Sequence, residues 1–149
     1  MNGVRGRFFL SHHRDNELHR CYAVQGHFLC ARCLGLYPLL LLAWTAQFVF
    51  HAPPSEMAAE PWVVLGLSLP AMADWMVGQF WPHAFSNPWR TFTGGMLGLA
   101  LGRMLYIHMR EPFPTGLRWQ LLAGLAAALL VLLLKWTKWA RLLRTPNEK

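Results

Sequence analysis

The chain has 149 residues, 54% of them apolar and only 14% charged, with a net charge of +7 and eight tryptophans. Charged residues at about half the share of a soluble domain point to a membrane protein. The basic residues flank apolar runs instead of forming a stripe, which argues against nucleic acid as a partner and for the lipid bilayer.

The first 33 residues are polar and basic. His12, His13, Arg14, Asp15 and Glu17 occupy the stretch where a secretory signal needs an apolar core, so no signal peptide is expected and the protein inserts through its own helices. All three cysteines, Cys21, Cys30 and Cys33, fall in this arm, and Cys30-Ala31-Arg32-Cys33 directly precedes an apolar run. The spacing supports three readings. Three thiols plus His27 (as H-x2-C-x2-C) or His19 make up a Cys3His zinc set. Alternatively, Cys30 and Cys33 at a helix N-terminus, beside Arg32, form an activated thiol or redox pair. The third reading is three unmodified cysteines at a membrane surface. A reducing cytoplasm disfavours a stable structural disulfide.

Four apolar segments follow, at about 34–50, 62–81, 91–108 and 119–136, each close to the length that spans a bilayer. Pro38 falls in the first turns of the first, where a missing N–H costs little, and His51-Ala52-Pro53-Pro54 ends it. Pro61 opens the second, Pro82 closes it, and Pro70 is expected to kink it. Trp62, Trp81, Trp119, Trp136 and Trp139 sit at expected helix ends, as in an aromatic belt. Residues 137–149 read as a basic tail. The alternative, a soluble all-helical bundle, fits runs of this length and apolarity poorly.

Arg5, Arg7, Arg14, Arg20 and Arg32 precede the first segment, and Lys135, Lys138, Arg141, Arg144 and Lys149 follow the fourth. The first loop carries Glu56 and Glu60 and no Lys or Arg. The positive-inside rule therefore places both termini in the cytoplasm of a multi-pass inner (cytoplasmic) membrane protein. Gly94, Gly98 and Gly102 recur every four residues and offer one flat face for close helix–helix packing, with Gly95 beside it.

Asp74 is the only acid inside an apolar segment, and an ionised carboxylate there needs a partner or water. Asn87 reads as an N-cap, Pro88 as the first helical residue, and Arg90 then stands at the level of Asp74. Thr91 and Thr93 add hydroxyls nearby. Arg103 lies deeper on the third segment and either extends outward toward Tyr106 and His108 or turns in to Asp74. Asp74, Gln79, Ser86, Asn87 and Arg90 are thus expected to line a polar pocket on the same side as the cysteines. Asp74, Arg90 and Cys33 are the candidates for catalysis; the simpler reading of Asp74 is an ion pair that fixes helix register.

Two blocks resemble a bacterial membrane family known only as a domain of unknown function. His19-Arg20-Cys21 followed by Phe28 through Tyr37 is similar to its cysteine signature, a Cys-His pair and then a CARCTGIY-type block. Asp74 through Gln79, then Ser86-Asn87 and Arg90 through Gly94, resemble its second block. Tyr22, Leu34 and Trp75 depart from the usual His, Thr and Gly. The resemblance covers roughly residues 18 to 102 and implies a small multi-pass membrane protein with no established activity.

These readings combine into one expectation: an all-α, four-helix transmembrane bundle forming a single integral membrane domain over 1–149, with a short cysteine-containing cytoplasmic N-terminal arm. A zinc ion on Cys21, Cys30, Cys33 and His27 or His19 would pin the arm over the polar pocket. The alternatives are a thiol oxidoreductase on Cys30 and Cys33, a lipid-headgroup enzyme on Asp74 and Arg90, and a small transporter or assembly factor.

Overall fold

The computed structural model describes residues 15–24, 27–53 and 57–143. His12, His13, and the charges Arg5, Arg7, Arg14, Glu56, Arg144 and Lys149 used above lie outside the described residues. A 3-10 turn, Asp15–Arg20, leads into strands β1 (Cys21–Val24) and β2 (His27–Cys30), and four long helices follow: α1 (Ala31–Val49), α2 (Glu60–Gly78), α3 (Asn87–His108) and α4 (Thr115–Leu143).

The helices are those expected, with different ends. α1, α3 and α4 begin three or four residues earlier than their apolar runs, because first turns such as Ala31-Arg32-Cys33 and Asn87-Pro88-Trp89-Arg90 are helical but polar. α4 continues to Leu143, through much of the stretch expected to be a tail. Pro70 lies inside α2, which continues past it.

The all-α expectation needs one correction. β1 and β2 pair antiparallel, with Cys21 opposite Cys30 and Val24 opposite His27. Tyr22, Val24 and Phe28 favour an extended chain. A lone two-stranded hairpin is marginal in water, and this one is tied to α3. Asn87 Nδ2 donates to the Cys21 carbonyl at 3.1 Å, and the Tyr22 hydroxyl lies 3.3 Å from Thr91 Oγ1. Thr91 Oγ1 also reaches the Ala31 carbonyl at 3.0 Å, where the hairpin passes into α1.

Glycines bring α1 and α3 into backbone contact. A Cβ added at Gly94 would collide with the Arg32 carbonyl, and one at Gly98 with that of Leu36. At Gly102 it would lie 2.7 Å from the Leu40 carbonyl oxygen. Gly35 gives the reciprocal contact on α1, against the Thr91 carbonyl. The contacts advance together along both chains, so α1 and α3 are parallel. The glycine face expected to pack helices is thus covered by α1 of the same chain.

α2 runs antiparallel to α3, with Asp74 beside Arg90 at one end and Glu60 paired with Arg103 at the other. α4 runs parallel to α2: Trp62 stacks near Trp119 with ring centroids 5.0 Å apart, Gln120 donates to Ser68 at 2.7 Å, and Lys135 donates to Gln79 at 2.7 Å. The helices therefore alternate in direction, and the hairpin sits at the end shared by Arg32, Asp74 and Arg90.

The exposed faces are unlike those of a soluble protein. Ser68, Asp74, Arg90, Thr93 and Gln120 are buried, whereas Leu122, Leu132 and Leu133 on α4 are each more than 60% exposed. Val64, Ala100, Met104 and Ile107 form a small apolar core between α2 and α3. Apolar faces this broad require an apolar surrounding. α1 and the Thr115–Thr137 part of α4 are each long and apolar enough to cross a bilayer. α2 and α3 carry Ser68, Asp74, Arg90 and Thr93, and α4 adds Gln120.

Candidate functional site

Asp74 lies one turn before the end of α2, and its side chain is completely buried. Arg32, in the first turn of α1, forms an ion pair with Asp74 Oδ2 through its terminal nitrogen. Arg90 approaches from α3, with Nε 3.9 Å from Asp74 Oδ1. That gap is too long for a direct hydrogen bond. A terminal nitrogen of Arg90 donates instead to the Pro82 carbonyl at 2.9 Å, and Arg20 donates to the Gly78 carbonyl at 2.7 Å, at the last turn of α2.

Local sequence sets these positions. Ser86, not Asn87, is the N-cap of α3, and its hydroxyl faces the Trp89 N–H at 3.5 Å. Asn87 is thereby the first helical residue, and its amide is free to hold the hairpin. Arg90 falls one turn into the helix, facing α2. The expected meeting of Asp74 and Arg90 is present. Gln79 instead accepts a hydrogen bond from Lys135 on α4.

Charge and hydrogen bonding are both unbalanced here. Arg90 has Asp74 as its attractive neighbour and Arg20 and Arg32 as repulsive ones. Asp74 Oδ1, Arg32 Nε and Arg90 Nε are buried without a hydrogen bond among the described residues. A buried charged group without a full set of partners is costly, and a water or another polar group reaching these atoms would offset that cost.

Sequence reasoning missed Arg32 as the main partner of Asp74, because it was counted as a topology charge and as a neighbour of the Cys30 and Cys33 thiols. The signal was available: Arg32 lies in the first turn of α1, at the same end of the bundle. It also placed Glu60 in a loop. Glu60 opens α2 and pairs with Arg103, which further donates to Gln47 Oε1 and the Pro53 carbonyl, each at 2.9 Å, and stands over the Tyr106 ring. Arg103 thus extends outward and does not turn in to Asp74.

The cysteines cluster on the hairpin side of this site. Cys21 and Cys30 are buried and face each other across the strands; Cys33 is half-buried, in the first turn of α1 just past Cys30. The Cys3His zinc set does not assemble around them. His27 stands at the far end of the hairpin, roughly 10 Å along the strand from Cys30, because the segment is extended and not coiled into a knuckle. His19 directs Nε2 to the Pro82 carbonyl at 3.2 Å and lies against His83. Among the described residues, no three His, Cys, Asp or Glu side chains are placed to hold one metal ion.

A family model described as predicted membrane protein (DUF2085) matches residues 13–105, a span holding the hairpin, Asp74, Arg90 and the glycine face. No curated protein and no solved structure matches the chain.

Proposed function

The chain belongs to the DUF2085 family of predicted membrane proteins, and on that footing we propose that it is a four-pass membrane protein that binds a polar anionic headgroup in the Arg32–Asp74–Arg90 site. The observation that carries this is the orphaned trio: the Nε groups of Arg32 and Arg90 each need an acceptor, and Asp74 Oδ1 needs a donor. An oxyanion that also bears a hydroxyl supplies both. A phosphate would span the two guanidinium groups, for which their planar donor geometry is suited, and a neighbouring hydroxyl would donate to Asp74. Phosphatidylglycerol has this combination.

Alternating helix direction supports four passes, and the large exposed apolar side chains on each helix support lipid around them. The excess of Lys and Arg near the hairpin end supports a cytoplasmic placement of that end, with both termini inside. The site then lies where inner-leaflet headgroups are.

The experiment is thermal unfolding of the purified chain in a neutral detergent with added phosphatidylglycerol, phosphatidylcholine or inorganic phosphate. Phosphatidylglycerol should raise the unfolding midpoint, and phosphatidylcholine should not. A rise with inorganic phosphate alone would identify a free oxyanion as the ligand. Arg90→Lys keeps the charge but removes Nε, and should abolish the effect. An equal response to all three additives, unchanged by Arg90→Lys, would refute the proposal.

A further inference from the structure

Cys30 stands between two other thiols. Across the hairpin it is the register partner of Cys21, and Cys33 follows it by three residues, in the first turn of α1. Opposed Cα atoms in an antiparallel pair lie about 4.5 to 5.5 Å apart, within the range that a disulfide bridges. Cys30 is the N-cap of α1 and Cys33 its third residue, and no side chain caps this helix end. Exposure orders the three thiols: Cys33 is half-buried, while Cys30 at 3% and Cys21 at 7% are enclosed.

We infer that the three cysteines form a thiol–disulfide exchange relay, in which Cys33 receives the bond from a low-molecular-weight disulfide, Cys30 resolves it, and Cys21 takes it into the hairpin. This inference stands apart from the headgroup site. In the first step the Cys33 thiolate attacks the external disulfide, forms a mixed disulfide and releases one thiolate. Cys30 then attacks the Cys33 sulfur and releases the second. Two cysteines lose two electrons, the external disulfide gains them, and the protons from Cys33 and Cys30 end on the two released thiols. Finally Cys21 attacks the Cys30 sulfur. The bond moves to Cys21–Cys30, the proton of Cys21 passes to Cys33, and no further electrons move.

The sequence makes the relay readable. Trypsin cuts after Arg20 and Arg32, so Cys21 and Cys30 share one peptide and Cys33 begins the next. The full chain in detergent is treated with glutathione disulfide, quenched in acid, alkylated and digested. The expected result is a bond inside the Cys21–Cys30 peptide, with Cys33 alkylated. Cys21→Ser should shift the bond to Cys30–Cys33. Cys30→Ser should abolish every intramolecular bond and leave glutathione on Cys33. Matching elution volumes on size exclusion confirm folding, and Cys21→Ser alone tests the first two steps if Cys30→Ser aggregates. Three thiols that stay reduced in the unmodified chain would overturn the inference. So would a Cys21–Cys33 bond of wild-type yield in Cys30→Ser, or a stoichiometric zinc ion lost on replacing any one of the three.

Discussion

Arg32 and Asp74, 42 residues apart in sequence, form an ion pair that joins the first turn of α1 to the last full turn of α2. Arg90 flanks the same carboxylate from α3. One acid thus holds three helix ends together at the hairpin side of the bundle. Removing it leaves buried positive charge behind, and Asp74→Ala is expected to cost about 3 to 5 kcal/mol. Arg90→Met should cost more than Arg32→Met, since the Arg90 side chain is 4% exposed and that of Arg32 is 27% exposed. Denaturant unfolding in micelles, followed by tryptophan fluorescence, measures all three; a smaller loss for Arg90→Met would contradict this geometry.

The opposite end of the bundle has its own lock, Glu60 with Arg103 and Gln47. A Glu60→Gln, Arg103→Met double-mutant cycle should show a coupling of about 0.5 to 3 kcal/mol. The same cycle between Glu60 and Asp74 should be additive, because the two acids lie at opposite ends of α2. Strong coupling between them would mean that the helix directions described here are wrong.

Glycine substitutions distinguish close packing from mere helix composition. Gly98→Ala places a methyl group against the Leu36 carbonyl, and forcing α1 and α3 apart should cost about 1 to 3 kcal/mol. Gly66 has nothing within 4 Å of an added Cβ, so Gly66→Ala should gain up to about 1 kcal/mol from helix propensity. Equal effects at the two sites would argue against the parallel α1–α3 contact.

Much of this was legible in the sequence, for physical reasons. Apolar runs bounded by Pro and Trp located all four helices, because apolar runs of that length between helix breakers are too long for strands. The same criterion misplaced their starts, because first turns such as Ala31-Arg32-Cys33 are helical without being apolar. Asp74 and Arg90 were found by their shared depth. The hairpin was overlooked because the arm was read for ligand spacing, thiol chemistry and charge and not for strand propensity; Tyr22, Val24 and Phe28 around Gly26 were an extended-chain signal in plain view. An extended strand separates His27 from Cys30, residues that a coiled knuckle would bring together. The Asn87 cap was misassigned because Ser86 precedes it and caps equally well.

Asn87 provides a test of how the hairpin is held. Asn87→Ala removes the donor to the Cys21 carbonyl and should cost about 1 to 2 kcal/mol. A loosened hairpin should also expose the thiols, so maleimide labelling of Cys30 and Cys21 is expected to accelerate several-fold. Unchanged labelling would show that the strand pairing holds without this tie.

The central claim is that Arg32, Asp74 and Arg90 form a headgroup site and not merely an ion pair. Native mass spectrometry of the chain extracted gently from its own membrane addresses it most directly. The account predicts a retained anionic, hydroxylated lipid on the unmodified chain, and loss of that lipid in Arg90→Lys while the protein remains folded. The same lipid retained equally in both, or no lipid on either, would contradict it.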